Sequence, residues 1–238
     1  DRRDLDGIRV GVVDLERLNS GPATCIERKP EQFLDLTYPS VDLQSMLRAL
    51  HERFVSSDEG SPGLFLAEAV KGLGKSHALL TAYHLFTHPD QSKAWMNRHG
   101  YQWHPPVDPI VVIKKFTDES LPFASLWMVV AEALGGSWPK ERQPDLKDFR
   151  VALGKKHLVL IFDELERGIT NIVDQALRSQ NLSFLQMLCE EATRNRQITI
   201  FAAIYDGSIE PGTTLKRGPR VELRFRNPED RAAIVRHR

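Results

Sequence analysis

The segment that most constrains this chain is AVKGLGKS, residues 69–76, because of what stands on either side of it. Residues 64–70 form a short apolar run that reads as a buried strand, and residues 76–86 carry apolar positions at helical spacing. A glycine turn between a strand and a helix aims its own backbone N–H groups and those of the helix N-terminus at one point, where the helix dipole adds positive potential. Gly72 and Gly74 permit the tight turn and a close ligand approach to the backbone. Lys75 would bring its ammonium to the outer phosphates of a ligand, and Ser76 a hydroxyl to a divalent cation. Ala69, Val70, Lys71, Gly72, Leu73, Gly74, Lys75, Ser76 and His77 are therefore the candidate binding residues. Ala69 occupies the first glycine position of the pattern GxxxxGK[ST], a departure to another small residue.

A second segment supplies what a phosphate cradle lacks. Residues 157–162, HLVLIF, read as a strand that runs straight into Asp163 and Glu164. Two acids after a strand are, alone, as consistent with a solvated turn; beside a glycine turn in a strand–helix context they favour chemistry. Asp163 would complete a Mg²⁺ site with Ser76, and Glu164 would polarise an attacking water. A catalytic glutamate next to the metal-binding aspartate, with a further strand expected between the two motif strands, is the pattern of the ASCE class of P-loop ATPases. It implies ATP and Mg²⁺ as ligands and hydrolysis to ADP and phosphate. The guanine-reading NKxD sequence does not occur, so GTP is unsupported. A nucleotide kinase would need a lid with paired arginines, and the acid pair suits hydrolysis better.

Further strands are expected at 109–116, 198–205 and 221–225, and helices at 41–54, 123–134 and 174–194. Residues 93–106, with Trp95 and Trp103, read as an irregular helical insertion. Strands alternating with helices imply parallel βαβ units. The expected fold class is α/β, a three-layer sandwich with a parallel five-stranded sheet, for which the resemblance to ASCE proteins implies the order 5-1-4-3-2. The expected organisation is an N-terminal arm over 1–29 with a short strand at 8–13, an ATPase core over 30–226, and the start of a helical lid over 227–238. The chain opens on Asp1 and stops at Arg238 within a helix-like pattern, which suggests a piece of a longer protein.

Lesser candidates surround these motifs. At the end of the fourth strand, Asp206 or Tyr205, and less readily Ser208, could position water as the residue called sensor 1 in AAA+ proteins; an ordinary polar turn is the alternative. Arg217 and Arg220 could reach a neighbouring subunit's γ-phosphate, or form a solvated basic loop, or contact a DNA backbone. His84 and His88 stand four apart on one helix, without the third ligand that a metal site needs. Trp95, Trp103, Trp127 and Trp138 suit core packing better than base stacking. Phe33 and Tyr38 are candidates either to border an adenine or to pack beneath the helix that follows.

Lys plus Arg and Asp plus Glu number 32 each among 238 residues, so the surface as a whole does not select an anionic partner. The stretch from Lys216 to Arg238 is locally basic, which keeps a DNA-binding module open as an alternative. Cys25 and Cys189 match no metal-ligand or disulfide framework, a reduced cytoplasmic setting fits, and no apolar run is long enough to cross a membrane.

PEQFLDLTYPSVDLQSMLRAL followed by GLGKSHALLTAYHLF resembles the N-terminal ATPase region of large bacterial anti-phage defence ATPases, including those of BREX-like systems. The likeness covers about residues 30–88, with Ser76 in place of the commoner threonine. It implies an AAA+-like module that forms homo-oligomers and works with other subunits of a defence system and with DNA-directed partners. A nucleotide-gated scaffold with little turnover is the other reading of the same motifs.

Overall fold

The structure is a computed structural model that describes residues 13–55, 61–70, 72–116, 125–207, 210–230 and 233. The expected strand at 8–13 lies, but for Val13, outside them, as do Lys71, Ser208 and most of 231–238. Helices α1 (Pro30–Asp35) and α2 (Val41–Phe54) lead into β1 (Leu64–Glu68), then α3 (Lys75–Thr87), α4 (Pro89–Arg98) and β2 (Ile110–Lys115). There follow α5 (Leu126–Leu134), α6 (Leu146–Leu153), β3 (Leu158–Asp163), α7 (Leu165–Thr170), α8 (Gln175–Arg194), β4 (Ile198–Ile204), α9 (Gly212–Leu215) and β5 (Val221–Leu223).

The sheet has five strands in the order β2-β3-β4-β1-β5, every neighbouring pair parallel. Read from the other edge this is the expected 5-1-4-3-2. Leu64, Phe65, Leu66 and Ala67 of β1 are all buried, as continuous apolar strands covered on both faces must be. Alternation still sorts them. Phe65 and Ala67 join a core with α1 to α4, whereas Leu64 and Leu66 face a second core with α5, α6 and α8. The result is helices, sheet, helices: the three expected layers. Leu15, within the expected arm, belongs to the first core.

Local chemistry explains the element ends. The Ser40 hydroxyl accepts from the Leu43 N–H to cap α2, and Asp174 accepts from the Ala176 and Leu177 N–H groups to cap α8. The region read as an irregular insertion contains the regular helix α4, opened by Pro89 at its first turn. Helix α6, capped by Asp145, was not foreseen. Arg53 on the last turn of α2 is buried and donates to the carbonyls of Ser61, Ala192, Asn195 and Ile198 at 2.8–3.1 Å, which ties α2 to the C-terminus of α8 and the start of β4. Among the described residues no helix is long and apolar enough to cross a membrane.

Candidate active site

Because all five strands are parallel, β1, β3 and β4 end on the same edge of the sheet, and their last residues meet there. Beyond β1 the chain passes through Ala69 and Val70 to Gly72 and Gly74, whose φ values of +83° and +106° lie in the left-handed region. A Cβ on Gly72 would meet nothing within 4 Å, so the turn encloses open space. Gly74 caps α3, leaving the free N–H groups of that helix directed at the turn. Leu73 is half-buried and Val70 is exposed.

Ser76, on the first turn of α3, donates its hydroxyl hydrogen to Asp163 Oδ2 at 2.7 Å across 87 residues of sequence. Asp163 Oδ1 accepts the Glu164 N–H at 3.0 Å, so both carboxylate oxygens are fixed. Burial raises the Asp163 pKa, the Ser76 hydrogen bond opposes that, and the Glu164 charge adds to it. An acid buried among so few counter-charges, one hydroxyl from the glycine turn, fits a hard divalent cation bound through oxygen donors.

The Lys75 ammonium donates to the carbonyls of Ala69 and Val70 at 2.6 and 3.1 Å, folded back on its own turn. Burial lowers its pKa, opposed by the charges of Asp163, Glu166, Glu164 and Asp206. The lysine therefore sits in the field of four carboxylates. Glu164 takes φ +54°, a left-handed conformation at a non-glycine residue that turns the chain sharply from β3 into α7. Its carboxylate lies 3.2 Å from the Arg167 guanidinium.

Lys75, Ser76, Asp163, Glu164 and Asp206 thus gather at one edge of the sheet. Asp206 is ion-paired to Arg226 at 2.9 Å, and Tyr205 is exposed. His77 lies in the first turn of α3, where its backbone and not its side chain faces the glycine turn. One residue further round the helix than Ser76, its ring turns away to stack on Phe33 (centroids 4.7 Å apart) and to bond Thr37 Oγ1 at 2.9 Å. Phe33 is accordingly a core residue rather than an adenine border. Arg217 donates to Gln186 at 2.5 Å, while Arg220 binds the Lys216 and Gly218 carbonyls and pairs with Glu222. Among the described residues of the basic strip, Lys216 pairs with Glu68 and Arg224 with Glu222. His84 and His88 hydrogen-bond each other through Nδ1 at 3.2 Å, and no group of three metal-ligating side chains occurs among the described residues. Trp95, Trp103 and Trp127 are core residues.

Three site residues escaped the sequence reading. Glu166 is half-buried, and its Oε1 accepts the Tyr205 N–H at 3.1 Å. Asp42 accepts the N–H groups of Arg224 and Phe225, both at 2.9 Å, and so holds the chain beyond β5 across the start of α2. Phe225 has φ +53°, and its ring would lie 3.7 Å from a Cβ on Gly74, so it borders the glycine turn. The signal for Glu166 was its place two residues beyond the acid pair. Asp42 and Phe225 carried none.

No family model matches the chain, and no curated protein sequence does. Among solved structures it is similar to the ORC2 protein of Aeropyrum pernix, determined as ADPNP–ADP complexes, at 15% identity and a TM-score of 0.47, covering 88% of this chain and 55% of that one. The chain thus spans about half the length of that protein.

Proposed function

We propose that this chain is an ATP-binding and ATP-hydrolysing module of the ASCE class, close to the AAA+ proteins. The observation that carries the proposal is the 2.7 Å hydrogen bond from Ser76 to Asp163, which joins the glycine turn to the acid pair. Those two oxygens would hold Mg²⁺, which when bound neutralises charge on the β- and γ-phosphates. The N–H groups of Gly72 to Ser76 wrap the phosphates, and Lys75 exchanges its own-loop carbonyls for phosphate oxygens. Glu164, released from Arg167, takes a proton from the water that attacks the γ-phosphorus, and ADP leaves. Asp206 orients that water from the tip of β4.

Replacing Glu164 by Gln tests this reading. ATP binding should persist while turnover falls about 10²–10³-fold, within the range for loss of a general base. Equal, near-zero turnover in the two proteins, with binding intact, refutes hydrolysis at this site. It would instead favour the nucleotide-gated scaffold, for which the Glu164–Arg167 pair is the supporting observation.

The resemblance of residues 30–88 to defence ATPases supports a finer proposal: a motor or switch that forms a homo-oligomer and acts with other defence subunits on DNA. Arg217 or Arg220 would then serve a neighbour's site. Mass measurement of the full-length protein with Mg²⁺ and a non-hydrolysable ATP analogue tests the assembly; a monomer at every concentration argues against it. A DNA-binding module centred on the basic strip finds less support, because Glu68, Asp206 and Glu222 already pair with its cations.

A further inference from the structure

We infer that Glu166 is a positioning residue of the hydrolytic site, the link that holds the tip of β4 against the Asp163–Glu164 turn. The inference rests on the hydrolytic reading above and adds a residue to it. The register between β1 and β4 ends at Glu68 with Ile204, so Tyr205 is the first residue beyond the ladder. Its N–H is taken by Glu166 Oε1 at 3.1 Å, from the first turn of α7. That hydrogen bond joins two segments 39 residues apart, one carrying Glu164 and the other Asp206.

The other oxygen, Oε2, is buried without a hydrogen-bond partner among the described residues. Burial raises the Glu166 pKa, its own N–H and that of Tyr205 oppose this, and the charges of Glu164 and Lys75 act on it in opposite senses, so it lies beside the phosphate-binding groups. A carboxylate whose only task was to cap α7 would have no need to reach the next strand. Here it fixes the distance between the general base and the water-orienting residue, which sit on the ends of adjacent strands.

Hydrolysis is sensitive to that distance, since a misplacement of about 1 Å can cost about 10²-fold in rate. Phosphate binding, which depends on the glycine turn and Lys75, is not. Glu166→Ala should therefore lower kcat about 10–100-fold with the affinity for ATP changed less than about threefold. Glu166→Gln keeps an acceptor for the Tyr205 N–H and should recover most of the turnover. Glu166 lines an open cavity of about 870 Å³ with Thr170, Arg178 and Glu210, so truncation widens a solvated space and leaves no sealed void. The alanine protein is expected to fold.

Amide exchange at Tyr205, measured without nucleotide, provides a second readout. It should be slow in wild type and Glu166→Gln and faster in Glu166→Ala. Unchanged exchange in Glu166→Ala, unchanged kcat in Glu166→Ala, or equal impairment of the Gln and Ala proteins each overturns the inference. A wild-type protein that binds ATP but turns over no faster than Glu164→Gln removes the hydrolytic reading and this inference together. Turnover in wild type matched by Glu166→Ala removes this inference alone.

Discussion

Replacing Arg53 by Met tests whether α2 is a structural part of the α/β core. The guanidinium is buried and donates to four carbonyls, one from Ser61 and three from the α8–β4 junction, at 2.8–3.1 Å. Burial, then the charge of Arg196, lowers its pKa to about 10, so it remains a cation at neutral pH. Methionine matches the length of the stem but returns none of the hydrogen bonds. A buried carbonyl left without its donor costs about 1–3 kcal/mol, and some of the four keep a second partner: the Asn195 carbonyl also accepts from Ile198 N. The expected net loss is about 2–5 kcal/mol, from the carbonyls left without a second donor. Against a domain stability of about 5–15 kcal/mol, that is a large fraction. Urea unfolding followed by circular dichroism measures it as a shift in midpoint at constant slope. Arg53→Lys, with one ammonium for the same carbonyls, should fall between the two. A loss below about 1 kcal/mol for Arg53→Met would refute the claim that this side chain joins α2 to the sheet.

Lys75→Met should abolish the stabilisation that ATP with Mg²⁺ gives the folded protein, a thermal shift that follows binding by mass action; an undiminished shift would contradict the phosphate role of the lysine. Gly168→Ala would place a Cβ 2.4 Å from Phe116 Cδ1, so α7 must move; we expect about 1–3 kcal/mol of destabilisation by chemical unfolding, with turnover reduced because Glu164 caps that helix and Glu166 lies in its first turn. His84 is held down to about 3 by burial and by His88, against an ordinary value of 6.5. Below pH 6.5 the unfolded chain gains a proton that the native state refuses, so stability falls with pH by about 1.4 kcal/mol per unit, or about 2 kcal/mol by pH 5. His84→Leu should flatten that part of the curve in urea titrations at pH 7.5 and 5, and an unchanged pH dependence would rule His84 out as its source.

The motif segments and the alternation of strands with helices were legible because both are local, whereas the strand order came from the likeness to ASCE proteins. A glycine turn after a buried strand and before a helix is written in contiguous residues, and so is an apolar strand that ends in two acids. Parallel connections through helices then leave few ways to order five strands. The direction of the His77 side chain follows from helix geometry: adjacent residues on a helix point about 100° apart, so Ser76 reaches Asp163 while its neighbour reaches Thr37. Helix α6 went unread because it is short, 8 residues, and only Phe149 and Leu153 of it are buried.

What the amino-acid sequence by itself determined is the inventory of the site: Gly72, Gly74, Lys75, Ser76, Asp163 and Glu164, each on the element that its local pattern dictates. Only the tertiary structure decided which distant groups complete it or neutralise one another. Glu166 met the β4 tip, Asp42 captured the chain at Phe225, and the basic strip found Glu68, Asp206 and Glu222. Those pairings depend on where parallel strands end in space, and no local periodicity encodes the distance between the ends of two strands.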